Sequence, residues 1–448
     1  MEHVPAVALR PCVPLDSNDS SNELSSVTTA PWSLYSPARR MGFLLILFLV
    51  TTSNYFDYYI LSVVLEPIKH EFHASDTLLG LLSGFCFALV YAFAALPIAR
   101  WSDRGDRRTV ITVALSLWSV ITSLCGMAQS FFQLALSRFA LGAIEPGGMP
   151  PAQSLIVDYF PANRRAMASS VLNAGSAAGY FAGVGIGGYI AATHGWRVAF
   201  LVAGVPGLLL ALIAYFGLAE PREKLGFPSD NAGREGMWQA FSQLRRKRTF
   251  VFMLAALSTY TVFSYGIAIF LPSFLIRVMH STLTQVSLSW GFTVSAADLT
   301  GAMLGGWLGD RLTRRDVRWC AWLPATTCLV GGAVYILTLV THDLFTFIAF
   351  NFVAETILTI GISITYVPVH AVCGSPRRTV AIAMTEACTM LVGAGLGPFL
   401  AGGFSDLLNP TFGLESIRYS LLAMLTFLIP ASIAFYLAAR AMPRELEA

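Results

Sequence analysis

The chain is short of charge: Asp, Glu, Lys and Arg together make up 12% of its 448 residues, about half of the roughly 25% that a soluble globular protein carries. With 55% hydrophobic residues and a mean hydropathy of +0.63, lipid rather than water must be the solvent for most of it. It also lacks a strong charge of either sign. Lys and Arg number 29 against 26 Asp and Glu, a net +3, too weak and scattered to imply a nucleic-acid partner. Seven cysteines fall singly, with no C-x-x-C pair, and read as packing thiols rather than disulfides or metal ligands. There is no G-x-x-x-x-G-K-[ST] phosphate loop, no H-E-x-x-H metal helix and no acid-base pair on a soluble domain, so neither an enzyme nor ATP-driven transport by this chain is expected. Residues 1–38 are rich in Ser, Asn, Pro and Thr and lack the apolar run of a signal peptide; they read as a disordered, uncleaved tail.

What the chain does have is long apolar runs. A bilayer core of about 30 Å needs about 20 apolar residues in a helix. Twelve such runs are present, at 42–66, 78–100, 109–128, 131–157, 167–192, 197–218, 249–276, 285–309, 319–340, 344–372, 379–404 and 416–440. With the N-terminus placed inside, 24 of the 29 basic residues fall on inner segments. Only Lys69, Arg197, Arg277 and Arg418 fall at outer ends, and Arg138 lies within a span. That bias places both termini in the cytoplasm. The longest connection, 219–248, divides the chain six plus six and reads as a cytoplasmic linker with a short interfacial helix at Met237–Leu244. The domains expected are therefore a tail at 1–38, six-helix bundles at 39–218 and 249–440, and a cytoplasmic tail at 441–448.

The two halves repeat one another. The loop after span 2, ALPIARWSDRGDRR, and the loop after span 8, GGWLGDRLTRR, align Asp103 with Asp310 and Arg104 with Arg311. Such repeats suit transporters whose halves rock about a central site. The paired loops resemble the signature of the major facilitator superfamily, G-x-x-x-D-R-x-G-R-R. Gly306 and Asp310 are in register in the second copy, while the first has Ala99 for the leading Gly and Asp106 for the later one. The resemblance implies an all-α membrane protein of the major facilitator fold, twelve transmembrane helices in two pseudo-symmetric bundles. It also implies a cytoplasmic gate formed by Asp103, Arg104, Arg107, Arg108, Asp310, Arg311, Arg314 and Arg315; a purely topological role for these arginines is the competing reading. A narrower likeness covers most of the N-terminal half. The run from Ser53 to Phe72 and the motif R-x-x-x-G-x-x-E at Arg138, Gly142 and Glu145 are similar to spinster-like transporters, which usually have Arg where this chain has Tyr58 after Asp57.

Ionisable side chains at membrane depth each cost at least about 2.5 kcal/mol at a helix centre and so mark functional candidates. Helical rise puts Asp57 about 21 Å from the inner end of span 1 and Arg138 about 10 Å from the outer end of span 4, the same depth, so the two are expected to pair. Glu145 lies two turns deeper on the same face as Arg138. A carboxylate and a guanidinium beside one cavity can exchange partners as a proton or substrate arrives; a structural buried ion pair is the alternative. Asp298, Glu355 and Glu386 are the second half's candidates, with Tyr58 and other tyrosines as cavity lining. His370 reads as interfacial. Gly179, Gly183 and Gly187 in span 5, and Gly393 and Gly397 in span 11, offer small faces for close helix approach.

The function expected is secondary active, proton-coupled transport by alternating access. The spinster resemblance implies an amphipathic lipid substrate, a lysophospholipid or sphingoid type, with Arg138 as the anchor for an anionic group. A water-soluble organic anion such as a sugar acid, multidrug efflux and a non-transporting scaffold remain as alternatives. No cofactor is expected beyond the proton as coupling ion. The partners are the small-molecule or lipid substrate and membrane lipids, the chain acting as a monomer, and the location is the plasma membrane of a bacterium.

Overall fold

The computed structural model describes residues 31–221, 242–373 and 378–446, which form twelve helical rods. These are α1 (Pro37–Phe72), α2 (76–104), α3 (Arg107–Cys125), α4 (131–159), α5 (162–194), α6 (Trp196–Gly217), α7 (Arg248–Arg277), α8 (283–313), α9 (Trp319–Val340), α10 (344–373), α11 (378–412) and α12 (416–446). Each overlaps one apolar run of the sequence. By length and composition eight stretches qualify as membrane spans, and one of them, Ala381–Glu445, holds both α11 and α12. The rods outside those stretches are α4, broken at Glu145–Gly147, and α5 and α8, whose many glycines and hydroxyls lower their hydropathy.

Packing repeats between halves with an offset of six helices. In the first half α1 lies on α5, α2 on α4 and α3 on α6; in the second, α7 lies on α11, α8 on α10 and α9 on α12. The halves meet along α1–α7, α2–α11 and α5–α8. The four seam helices α2, α5, α8 and α11 each contain a wide turn closed by i→i+5 hydrogen bonds, at Leu81–Phe85, Ala182–Gly187, Val286–Trp290 and Thr389–Ala394. Such turns leave a carbonyl unspent and bend the rod. Glycine permits the contact: a Cβ on Gly84 would sit 2.6 Å from the Ala394 carbonyl oxygen, and one on Gly291 would sit 3.0 Å from the Gly185 nitrogen.

Local signals account for the helix ends. Ser36 caps α1 by accepting from the Arg39 amide, with Pro37 in the first turn, and Ser75 and Ser130 cap α2 and α4. Two expected tails are helical or packed instead. Pro31–Leu34 forms a helical turn, and Tyr35 is buried edge-on against Phe43 and Tyr159, because an aromatic this close to α1 buries more than the polar tail costs. At the other end α12 runs on to Leu446, since the Glu445 carboxylate accepts from the Arg248 and Thr249 amides and so caps α7. The expected linker falls largely at 222–241, and the tail's first thirty residues at 1–30, both outside the described residues.

At the end remote from the termini a charged clamp joins the halves. Arg277 at the end of α7 reaches Glu66 of α1 (Nε to Oε1 2.7 Å) and holds Asp76 of α2 with two bonds, Nη1 to Oδ2 at 2.6 Å and Nη2 to Oδ1 at 2.7 Å. Lys69 and Ser405 also donate to Asp76. From α11, Asp406 accepts from the Asp76 and Thr77 amides and the Thr77 hydroxyl, so the second half caps a helix of the first. This end is therefore shut.

Arg277, Glu66 and Asp76 are all buried, and removing one partner of a buried pair typically costs about 3–5 kcal/mol. Arg277→Gln is thus expected to open this end. Spin labels at the exposed Leu78 of α2 and Leu414 before α12 should show a longer distance in the variant, whereas an unchanged distribution would mean that the clamp does not hold the closed state.

Candidate functional site

Midway along the bundle the helices enclose a small cavity of about 50 Å³, room for a water or two. The first half contributes Asn54, Tyr55, Tyr58, Phe87, Tyr91, Glu145 and Met149, and the second Tyr265 and Met390. Tyr58 stands where spinster-like chains usually have Arg. Its ring meets Tyr59, Phe87 and, across the seam, Tyr265 edge-on, with centroids 5.0, 5.6 and 5.9 Å away. The wall is thus rings and thioethers, adaptable surfaces for an amphipathic guest, and its one charged lining group is an acid.

Glu145 is placed by a break in α4: Pro146 and two glycines follow it, and the chain runs Glu145–Gly147 as a tight turn before the helix resumes at Met149. Its Oε1 accepts from Asn54 Nδ2 at 2.8 Å, while Oε2 is buried without a hydrogen-bond partner. Behind it lie Asp57 and Arg138, brought together as their depths imply: Arg138 Nη2 is 3.9 Å from Asp57 Oδ1, and Nη1 donates to the Asp57 carbonyl oxygen at 3.4 Å. The pair is under-bonded, since Asp57 Oδ1 and Arg138 Nε and Nη2 make no hydrogen bond, which suits groups that change partner rather than ones locked for stability. Arg138 is only 3% exposed, lies over the Phe200 ring and does not line the cavity. The guanidinium expected to anchor an anion thus lies behind the wall, against Asp57 and Phe200, and Glu145 is the charged group that lines the cavity.

The second half's acids separate into two places. Glu386 is exposed, accepts from the Tyr366 hydroxyl and sits one turn of α11 from Met390, which lines the cavity. Asp298 and Glu355 are elsewhere, against α9 and α5, and do not line the cavity. Of the positions that sequence reasoning missed, Asn54, Tyr91 and Met149 are neutral and lack any pattern that distinguishes them. The clamp was more accessible: each basic residue at an outer end has an acid within reach.

At the other end no ion pair joins the halves among the described residues. Arg107, expected at the gate, is buried and donates to Glu220, Asp158 and Ser154. Every N–H of its guanidinium is engaged within the first half, so it braces α3, α4 and the end of α6 rather than gating. Asp106, which replaces the signature's Gly, caps α3: its carboxylate accepts from the Arg108 amide and the Thr109 hydroxyl. Partial burial pushes its carboxyl up, but the bonds from Thr109 and Arg108 outweigh this and hold it below the usual range. Arg108 pairs with Asp106. Asp310, Arg311, Arg314 and Arg315 are exposed, Arg311 lying over Trp307. The side chains of Asp103, Arg104 and His370 lie outside those described.

Comparison with known proteins fits this geometry. Residues 47–375 match the Major Facilitator Superfamily. An MFS-type efflux pump of Mycolicibacterium smegmatis is 30% identical over 413 residues, covering 92% of this chain and 95% of that protein. A sphingosine-1-phosphate transporter of Mus musculus is 27% identical, covering 88% of this chain and 76% of its own. Among solved structures, a bacterial homologue of the human lysosomal transporter spinster, inward-facing and unoccupied, superposes with a TM-score of 0.82 at 28% identity over 92% of this chain and 99% of that one. With two mirrored six-helix bundles closing on a central cavity, the chain is a multi-pass membrane transporter that belongs to the major facilitator superfamily and is spinster-like within it.

Proposed function

We propose that this transporter exports amphipathic molecules bearing a cationic head, lipophilic ammonium compounds or sphingoid-type amines, in exchange for protons. The observation that carries this reading is the cavity wall: tyrosines, Phe87 and two methionines around Glu145, with Glu386 one turn from Met390 and Arg138 held behind Asp57. Ring faces and a carboxylate attract a cation on an apolar body, and an organic anion would meet the wrong charge. The likeness to an efflux pump supports export. The likeness to a sphingosine-1-phosphate transporter supports a sphingoid-type chain as the apolar body of a substrate and leaves the charge of its head to the test below.

In the proposed cycle, ionised Glu145 binds the cation from the termini side, which is cytoplasmic. The halves then rock, and a proton arriving at Glu145 displaces the guest at the far side. Asp57 and Arg138 pass the signal on: a proton on Asp57 releases the guanidinium toward Glu145, and its loss restores the pair. The proton is the only coupling ion, and one chain in the plasma membrane suffices. Both lateral seams are tightly packed at the wide turns, so a lipid enters nearer the termini end.

Purified protein in liposomes with an imposed pH gradient tests this, with ethidium and sphingosine as cationic probes and galactarate as the anionic one. The gradient should drive the two cations and not galactarate. Glu145→Gln should slow gradient-driven ethidium transport by about ten- to a hundredfold, since a bond to a charged group is worth about 1.5–3 kcal/mol. Gradient-driven galactarate uptake, or an indifferent Glu145→Gln variant, would sink the reading. The role of the ion pair is separable. Asp57→Asn alone leaves Arg138 buried without its counter-charge and should lower the melting temperature, while Asp57→Asn with Arg138→Gln should regain stability yet remain uncoupled. A double variant that is both stable and coupled would make the pair purely structural.

A further inference from the structure

Outside the cavity, the second half holds two carboxylates that the proposed cycle does not use. Asp298 of α8 accepts from the Thr359 hydroxyl at 2.9 Å, and Glu355 of α10 accepts from the Tyr335 hydroxyl at 2.8 Å. Glu355 and Thr359 are one helical turn apart, so the two acids face the same stretch of α10, within electrostatic reach of one another. One turn earlier on that face is Asn351, 0% exposed, with neither amide atom hydrogen-bonded. The titratable groups facing the pair are Tyr59 of α1, Tyr180 of α5, Tyr260 of α7 and Tyr335 of α9. None of these is a cation, and neither carboxylate forms an ion pair among the described residues.

Two part-buried carboxylates on one stretch of the membrane-spanning bundle, with no counter-charge among the described residues, resist ionising together. Among the described residues no third His, Cys, Asp or Glu joins them to make a metal site. The simplest neutralising cation is a proton, for which the orphaned Asn351 carbonyl is a ready acceptor when a carboxyl O–H turns toward it. The position matters too. Ser295, one turn before Asp298, donates to the Ala177 carbonyl oxygen of α5 across the seam, so the charge of the pair is felt where the halves slide.

We propose that Asp298 and Glu355 form a second protonation centre, separate from the substrate cavity, in which two carboxylates share one proton and release it when the α5–α8 seam opens. It rests on the proton-driven reading above only for its consequence, one further proton moved per cycle; its occupancy is measurable without transport.

The test is infrared difference spectroscopy of the full chain in liposomes across a pH titration. A Glu145→Gln background removes the cavity acid. A protonated-carboxyl band should persist well above the range of free carboxylates. Asp298→Asn or Glu355→Gln should move its midpoint down by about one unit or more, because each removes the like charge that holds the proton, and Thr359→Val, which takes a donor from Asp298, should move it up. An unmoved midpoint in both single-acid variants overturns the shared proton even if Thr359→Val shifts it. A midpoint that falls when choline chloride is replaced by sodium chloride overturns it in favour of a metal cation. If ethidium is not transported at all but the midpoints shift as stated, the proposed function fails and the dyad stands.

Discussion

A charge buried in this fold has to find its opposite, and the Arg277 clamp is where that constraint governs the whole molecule. Basic residues are sparse at the end remote from the termini, and each of the four is neutralised by a nearby acid: Lys69 by Asp76, Arg197 by Glu71, Arg277 by Glu66 and Asp76, and Arg418 by Glu415. Three of these pairs stay within one half. Arg277 alone reaches from the second half to the first, and because its partners are buried, opening that end means exposing a guanidinium and two carboxylates together. Asp406 adds a second link of the same kind by accepting from the two first-turn amides of α2, Asp76 and Thr77, that Ser75 does not cap. Directional bonds that water can replace thus help to hold the shut end, beside the apolar residues buried around them.

Below the clamp the seams rely on backbone. The wide turns of α2 and α11 face one another, as do those of α5 and α8, and glycines bring main chain against main chain. Such contacts have no interlocking side chains to unpick, and a wide turn can redistribute its hydrogen bonds without unfolding the rod. Six-helix bundles, glycine-lined seams and a polar clamp at one end are the parts that the proposed cycle needs in order to rock. The packing within each half, every contact having its counterpart six helices on in the other, keeps the bundles stiff while the seams give.

The fold was legible because lipid solvent leaves few options: length, periodic apolar runs and the bias of Lys and Arg define twelve spans, and the paired D-R loops reveal the repeat. The Asp57–Arg138 contact was legible for the same reason, since helical rise converts residue counts into depth. Direction around a helix axis was not. Arg138 and Glu145 share a face of α4, yet the break at Pro146 turns one toward the cavity and leaves the other behind Asp57, a rotation that no spacing rule encodes. Arg107 misled in a similar way, because the basic loops look alike in sequence while the acids that engage it, Asp158 and Glu220, come from distant spans. The ends misled through single residues: Tyr35 and Glu445 anchor segments whose composition is polar.

The replacement of Arg by Tyr58 gathers these threads. An arginine at that point would sit beside Asp57 and face the cavity, giving the wall a positive charge and Glu145 a partner. With Tyr58 there, the ring instead bridges the halves through Tyr265, Glu145 keeps an oxygen unbonded, and the cavity's charge is negative. A transporter whose central acid lacks a basic partner on the wall can accept either a proton or a cationic guest at that acid, but not both, since together they would leave a buried positive charge. Mutual exclusion of proton and guest at one carboxylate is sufficient for exchange, so in the proposed cycle Tyr58 matters by leaving Glu145 without a basic neighbour on the wall.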